Sequence, residues 1–170
     1  MARKTLSTEY RIEPIGPNHD RVAFSCGDPE LDRYIRQQAG QDSKRKLAAV
    51  FVVTEDGISV AGFYTLSAES ILAADLPVEF GKRMPRFPLP ATLLGRMAVA
   101  QSLQGQGFGE FLLLDALGRA SSASRQVASW AVIVDTKAGA REFYLKHGFI
   151  PLETDPDRLF YPMKTVEMVL

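Results

Sequence analysis

The sequence predicts an α/β domain built around a mixed β-sheet. Two observations carry this prediction. Segments with strand patterns alternate with segments of helical periodicity, in the order β-α-β-β-β-α-β-α-β. In addition, a chain of 170 residues with 46% hydrophobic residues is long enough for one hydrophobic core, and no repeat or linker divides it. We therefore expect a single domain over residues 1–170.

The first half of the chain is predicted to contain a strand, a helix and a β-hairpin. The predicted elements are strands at 10–15, 48–54 and 58–66 and a helix within 24–46. Asp28 has the residue type of an N-cap, and Pro29 suits the first helical position. Glu55, Asp56 and Gly57 have the composition of a turn, so the two strands that they join form a hairpin.

The second half of the chain is predicted to alternate strands and helices after a proline-rich loop. The predicted elements are a loop at 76–90, strands at 93–99, 127–134, 149–151 and 159–170, and helices at 107–120 and 137–147. Gly148 is expected to end the second helix, because glycine adopts the left-handed conformation of a helix C-terminus. Residues 165–170 read as a β-rich tail because of their valines and threonine.

Composition excludes several functional classes. Twenty basic and twenty acidic residues cancel, so any polyanionic partner has to contact a local basic patch. The single cysteine, Cys26, excludes an internal disulfide and is typical of a reducing compartment. No signal-peptide pattern or long apolar stretch is present, so we expect a cytoplasmic protein without a membrane partner. His19 and His147 lack further ligands at metal spacing, and no metal is expected.

The segment Gln104–Gly109, QGQGFG, is the strongest candidate for a binding site. It lies between a predicted strand and a predicted helix, where backbone N–H groups and the helix dipole favour a phosphate or pyrophosphate. The alternative is that its glycines serve only turns and close packing. A loop for a nucleoside triphosphate would continue with Lys-Ser/Thr, which is absent.

Two motifs resemble those of the GNAT acetyltransferases. Residues 95–109 are similar to motif A of that family, whose pattern is [RQ]-x-x-G-x-[GA], and residues 140–149, AREFYLKHGF, are similar to its motif B helix. The resemblance implies the GNAT fold, in which a mixed, mostly antiparallel central sheet is splayed at the cofactor site and flanked by helices. It also implies acetyl-CoA as the co-substrate.

The same resemblance implies roles for individual residues. Backbone groups of the strand would face the cofactor, the N–H near Val99 would polarise the acetyl carbonyl, and Tyr144 would be the general acid for the leaving thiolate. The implied cofactor-binding residues are Met97, Ala98, Val99, Gln104, Gly105, Gln106, Gly107, Phe108, Gly109 and Glu110. Lys137 departs from the family, in which asparagine is common at this position.

Two further segments narrow the substrate by resemblance. Residues 24–35, FSCGDPELDRYI, and residues 83–96, RMPRFPLPATLLGR, are similar to segments of TacT-like GNAT toxins. This implies acetylation of the α-amino group of aminoacyl-tRNA, neutralisation by a ribbon-helix-helix antitoxin and a possible homodimer. An α-amine titrates near about 7.7–8.0, so it needs less help from a base than a lysine amine near about 10.4. Glu69 remains open as a base.

A tRNA substrate requires basic contacts, and the alternatives to such a substrate stay open. The candidate tRNA-binding residues are Arg33, Arg36, Arg83, Arg86 and Arg96. One alternative is the same fold acting on a small-molecule or protein amine. Another is a CoA-binding regulatory module without turnover, which the tyrosine at position 144 argues against.

Overall fold

The structure, a computed structural model, describes residues 9–136 and 140–170. Its strands are β1 (Arg11–Pro14), β2 (Ala49–Thr54), β3 (Gly62–Ile71), β4 (Leu89–Val99), β5 (Ala131–Asp135), β6 (Ile150–Pro151) and β7 (Arg158–Pro162). Its helices are α1 (Pro29–Arg33), a π-helical turn (Tyr34–Gln38), α2 (Ala39–Lys44), α3 (Val78–Gly81), α4 (Phe108–Ser124), α5 (Arg141–Lys146) and α6 (Met163–Val169). Short 3₁₀ turns lie at Ala73–Asp75 and Gln101–Leu103.

The strands follow the order β1-β2-β3-β4-β5-β7-β6 in one seven-stranded sheet. Antiparallel pairing joins β1 to β2, β2 to β3, β5 to β7 and β6 to β7, whereas β4 and β5 are parallel. This confirms the predicted α/β fold with a mixed, mostly antiparallel sheet. Residues Ala91–Leu93 of β4 pair with Ala131–Ile133 of β5. The splay at the cofactor site stays a prediction.

The chain divides into two compact units, and the first comprises the described residues up to Leu66 together with Arg96–Ala116. Its core is aromatic: the Phe63 ring lies 5.6 Å from that of Phe24 and 6.1 Å from that of Tyr34. The predicted helix start is confirmed, because Asp28 Oδ1 accepts the Glu30 N–H at 2.9 Å. The single helix predicted within 24–46 is instead interrupted by the π-helical turn.

The β2–β3 connection is longer than the sequence predicts. The Asp56 carboxylate accepts the N–H groups of Ile58 and Ser59 at 2.9 and 2.7 Å, which holds these residues in the turn. Ile58 is accordingly exposed, and β3 begins at Gly62 instead of residue 58. The start predicted at 58 is therefore wrong.

The second unit comprises Ser67–Gly95 and Leu117–Leu170. Phe160 lies in its core, edge-on to Phe80 at 5.2 Å and stacked on Trp130 at 5.8 Å. The strand predicted at 127–134 begins only at Ala131, because Val127 is exposed and has no core to pack against. Of the helix predicted at 137–147, residues 137–139 lie outside the described residues, and α5 covers Arg141–Lys146.

The predicted β-rich tail is wrong beyond Pro162. Residues Met163–Val169 form α6, in which Met163 and Val166 are buried while Lys164 and Glu167 are exposed. A spacing of three between buried positions is that of a helix, and it outweighs the β-branched composition. None of the helices in the described part of the chain is long and apolar enough to cross a membrane.

Candidate active site

The Gly-rich loop contains two glycines in the left-handed conformation. Gly105 and Gly107 have φ angles of +79° and +89°, a region in which side chains are strained. A Cβ built on Gly105 would meet no atom within 4 Å, so packing does not explain this glycine. Phe108 anchors the end of the loop, because it is buried and its ring centroid lies 4.8 Å from that of Tyr10 in a T-shaped contact. The loop is therefore exposed and has free space beside Gly105, while the buried Phe108 side chain fixes its end.

The loop leads into the N-terminus of α4, which has 17 residues. The Phe111 N–H bonds the Gly107 carbonyl at 3.1 Å, so the preceding N–H groups of Phe108, Gly109 and Glu110 lie in the first turn, where a helix offers unpaired donors. The helix dipole makes this end positive. The Glu110 carboxylate is exposed and repels an anion, so a contact of Glu110 with a pyrophosphate would come from its backbone N–H.

The glutamine side chains of the loop have structural partners. Gln104 Nε2 donates to the carbonyls of Cys26 at 2.8 Å and Val99 at 3.1 Å. The Gln101 N–H donates to the Ser25 carbonyl at 2.8 Å. Gln104 therefore joins the Gly-rich loop to the segment at 24–35, which lies far from it in the sequence. Sequence reasoning missed this role, since the residues lie 78 positions apart.

The end of β4 is packed closely against β3. The Ala98 carbonyl would lie only 2.8 Å from a Cβ at Gly62, so only glycine fits there without a shift. The Arg96 N–H donates to Thr65 Oγ1 at 3.1 Å. Ala98 is buried, whereas Met97 and Val99 are half-buried. This strand end is therefore held rigidly beside the Gly-rich loop that follows it in the chain.

Arg96 and Arg36, two of the predicted tRNA contacts, bind within the first unit. The Arg96 guanidinium lies 3.8 Å above the Tyr34 ring, a cation–π geometry. The Tyr34 hydroxyl donates to Asp42 at 3.0 Å, and burial together with this carboxylate raises the pKa of Tyr34 to about 12. Arg36 Nη2 donates to a backbone carbonyl at 2.6 Å. Both arginines thus have structural partners, although Arg36 is exposed, as Arg33 is.

The other two predicted tRNA contacts belong to the second unit. Arg83 and Arg86 are both exposed, in the segment between α3 and β4. Glu69, left open as a base, accepts an ion pair from Arg158 Nη2 at 2.7 Å. This arginine also lies 3.1 Å from the Asp135 carboxylate. The Glu69 carboxylate is therefore already engaged in an ion pair within the second unit.

Tyr144 lies in α5 of the second unit and is 7% exposed. The rings of Phe143 and Phe149 contact it edge-on at 5.2 and 5.3 Å. Gly148 has φ +97° and ends the helix as predicted, so that the Phe149 N–H returns to the Tyr144 carbonyl at 3.1 Å. Burial raises the pKa of Tyr144 above its ordinary value, so the hydroxyl keeps its proton at neutral pH. Lys137 lies outside the described residues.

The remaining histidine and cysteine side chains have local partners. His19 Nδ1 accepts the Gly16 N–H at 2.9 Å, and its Nε2 lies 2.8 Å from Glu13. Burial raises the pKa of Cys26 to about 11, which leaves the thiol protonated at neutral pH. Within residues 9–136 and 140–170, no group of three His, Cys, Asp or Glu side chains could hold a metal ion.

Known proteins resemble this chain over nearly its whole length. A family model described as the acetyltransferase (GNAT) domain matches residues 46–151. A probable TacT toxin from Sinorhizobium fredii is 35% identical, over 94% of both chains. A tRNA-acetylating toxin from Mycobacterium tuberculosis is 37% identical, over 89% of this chain and 90% of that protein.

Solved structures share the fold as well. AtaT complexed with acetyl-methionyl-tRNAfMet is 29% identical with a TM-score of 0.88, covering 94% of this chain and 98% of AtaT. A tyrosine-to-phenylalanine mutant of AtaT, bound to the C-terminus of the antitoxin AtaR and acetyl-CoA, is 26% identical with a TM-score of 0.81, covering 95% and 98%. The chain therefore belongs to the GNAT family of acetyltransferases, as the motifs at 95–109 and 140–149 predicted.

Proposed function

We propose that this chain transfers the acetyl group of acetyl-CoA to the α-amino group of aminoacyl-tRNA and thereby blocks translation as a toxin. The observation that carries the substrate is the similarity, at 37% identity over 89% of the chain, to a protein named tRNA-acetylating toxin. The structural similarity to AtaT complexed with acetyl-methionyl-tRNAfMet supports the same substrate class.

The first step of the proposed function is binding of acetyl-CoA at the Gly-rich loop. The pyrophosphate would lie against the N–H groups of residues 105–110, where the left-handed Gly105 leaves room for it and the dipole of α4 attracts its charge. Gln104 would hold the loop in place through the carbonyls of Cys26 and Val99. The buried Phe108 side chain would hold the end of the loop in the core.

The acyl transfer then forms one bond and breaks another. The lone pair of the α-amine attacks the acetyl carbonyl, the C–N bond forms and the C–S bond breaks. An N–H donor at the end of β4, near Val99, would stabilise the negative charge that develops on the carbonyl oxygen. Tyr144 would give its proton to the leaving thiolate, the amine proton would pass to solvent, and the Tyr144 phenolate would take a proton back from solvent. The raised pKa of Tyr144 makes the hydroxyl a weaker acid than a thiol, so its position beside the sulfur would have to favour the transfer.

The proposed partners are the tRNA and an antitoxin. Arg33, Arg83 and Arg86 are exposed and are the stronger candidates for phosphate contacts, since Arg36 and Arg96 already bind groups of the first unit. We infer that a ribbon-helix-helix protein neutralises the toxin and that the toxin forms a homodimer. Binding of AtaT to the C-terminus of the antitoxin AtaR supports an antitoxin partner of some kind.

The decisive experiment uses pooled charged tRNAs and labelled acetyl-CoA, with spermidine and a lysine peptide as competing acceptors. We expect the label on the aminoacyl group, and identification of the adduct would name the amino acid. Tyr144→Phe serves as the control with a preserved ring. Label on the polyamine or the peptide only would overturn the proposed substrate and favour a small-molecule or protein acetyltransferase.

The toxin role has its own test in cells. Induced expression of the wild-type chain should arrest growth, and expression of Tyr144→Phe should not. Co-expression of the small gene adjacent to this one should restore growth if it encodes the antitoxin. Equal growth of cells expressing the wild type and the mutant would contradict the toxin role.

A further inference from the structure

Phe87 is the one phenylalanine that the fold leaves in solvent. Its side chain is 64% exposed, whereas the other nine phenylalanines of the chain are buried or half-buried. Phenylalanine has no polar group that gains from exposure, and burying such a ring is among the larger contributions to folding. The exposure of this side chain therefore suggests that it contacts a binding partner.

The segment that carries Phe87 is anchored on both sides. Before it, Phe80 lies edge-on to Phe160 at 5.2 Å, and Met84 packs against the same core. After it, Leu89 is buried in that core. Pro85 and Pro88 restrict the backbone between these anchors, and a residue that precedes proline is confined to extended conformations. The exposed ring is thus held at a fixed place.

The surroundings of Phe87 in the chain are basic. Residues 79–88 contain three exposed cations, Lys82, Arg83 and Arg86, and one carboxylate, Glu79, so the segment has a net charge of +2 in a chain of net charge zero. No carboxylate of the described residues forms an ion pair with Arg83 or Arg86. An exposed ring that directly follows basic residues without ion pairs is unfavourable for a basic partner and favourable for a polyanion with flat apolar faces.

We propose that Phe87 stacks on an unpaired base at the 3′ acceptor end of the tRNA, while Arg83 and Arg86 bind the neighbouring phosphates. This inference rests on the proposed function. Single-stranded nucleic acid offers what the segment fits, because each base has a π-face and each nucleotide a negative charge. Such stacking tolerates any base, and every tRNA ends in the same unpaired nucleotides. Phe87 therefore serves general recognition of the acceptor end, and the choice of amino acid lies elsewhere.

The test measures binding of uncharged pooled tRNA by filter retention at graded salt, so that acetylation does not enter. The variants are Phe87→Ala, Phe87→Leu and Phe87→Trp, with Val127→Ala as the matched control, since Val127 is an exposed apolar residue of the same unit. We expect alanine and leucine to raise Kd roughly 5- to 150-fold, as loss of one stacked base does, and tryptophan to stay within about twofold. The slope of log K against log salt concentration should become about 0.7 less steep in Arg86→Ala, because one phosphate contact is lost. Phe87→Ala should leave that slope unchanged.

Each other outcome overturns the inference. An unchanged Kd for Phe87→Ala, or no binding by the wild type, removes the nucleic-acid contact. Full affinity in Phe87→Leu shows an apolar contact without stacking. Loss of antitoxin binding in Phe87→Ala with unchanged tRNA binding assigns the ring to a protein interface. Failure of the proposed function looks different: tRNA binding still weakens in Phe87→Ala, but no label reaches charged tRNA.

Discussion

Tyr144 combines the burial of a core residue with the chemistry of a proton donor. Its pKa is raised because the phenolate would be desolvated, so the hydroxyl stays protonated up to at least about pH 10, the ordinary value. We predict that Tyr144→Phe lowers kcat about 10²- to 10⁴-fold, the usual contribution of a general acid, with little change in KM for acetyl-CoA. Steady-state kinetics with charged tRNA measures both constants.

Tyr161→Phe is the matched control for that prediction, because Tyr161 is also buried in the second unit and its ring stacks on Phe149. It should keep wild-type kcat. The wild-type rate should rise from pH 6 to 8 as the substrate amine loses its proton, and Tyr144 should add no falling limb below pH 10. An equal loss of kcat in both variants would assign the effect to packing.

Cys26 should be chemically quiet in the folded protein. Burial raises its pKa from 9.0 to about 11, and the Sγ donates to the Asp28 carbonyl at 3.6 Å. Since the thiolate is the reactive form, we expect native Cys26 to react with iodoacetamide at pH 8 roughly 100-fold more slowly than the unfolded chain. Mass spectrometry of timed samples, with and without urea, measures the ratio. Equal rates would contradict the inert assignment.

At the scale of elements, the loop between β4 and α4 can be tested against a second turn of the same geometry. Gly105 and Gly57 have φ angles of +79° and +80°, so alanine costs roughly 1–2 kcal/mol of stability at either position. Only Gly105 belongs to the proposed pyrophosphate loop. We predict that Gly105→Ala also raises KM for acetyl-CoA, at least about tenfold, whereas Gly57→Ala leaves it unchanged.

Urea unfolding gives the stability change and kinetics gives KM. Gly57→Ala should lose slightly more stability than Gly105→Ala, because the new Cβ at position 57 would come within 2.7 Å of the Arg11 guanidinium. That contact is with a flexible side chain and can be relieved. If both variants raise KM alike, backbone strain acts through general destabilisation, and the assignment of the loop to acetyl-CoA loses its support.

Elements whose signals are local could be predicted from the sequence. Asp28 before Pro29 specifies a helix start within a few residues, and Gly148 specifies a helix end in the same way. The helix α6 was missed, because the valines and threonine of residues 165–169 suggested a strand while the deciding fact is which of them pack inward. Burial depends on the whole fold, and a segment of seven residues is too short to show a clear helical pattern of buried positions.

The candidate site shows the same division. The Gly-rich loop and Tyr144 could be proposed from the sequence because each belongs to a motif of adjacent residues, and their roles stay predictions. The bond from Gln104 to the Cys26 carbonyl and the placement of Arg96 over Tyr34 join residues 78 and 62 positions apart, and no short pattern contains them. The sequence predicted that Gln104 contacts the cofactor and that Arg96 contacts tRNA. In the structure, each of these side chains also contacts a residue of the protein itself.

At the scale of the whole molecule, the single domain over residues 1–170 stays a prediction, and the division into two units makes it testable. β3, β4 and α4 each have one end in either unit, since the division falls within residues 62–71, 89–99 and 108–124. Unfolding of one unit would break elements that the other unit requires. We therefore predict one cooperative transition in urea instead of two.

Two natural probes report on the units separately. Trp130, the only tryptophan, stacks on Phe160 in the second unit, and Cys26, the only cysteine, is partly buried in the first. Tryptophan fluorescence and the labelling of Cys26 should give the same urea midpoint and the same slope, because each probe is released when the shared elements unfold. Two midpoints that differ beyond error would show that the units unfold independently, and would contradict the single domain.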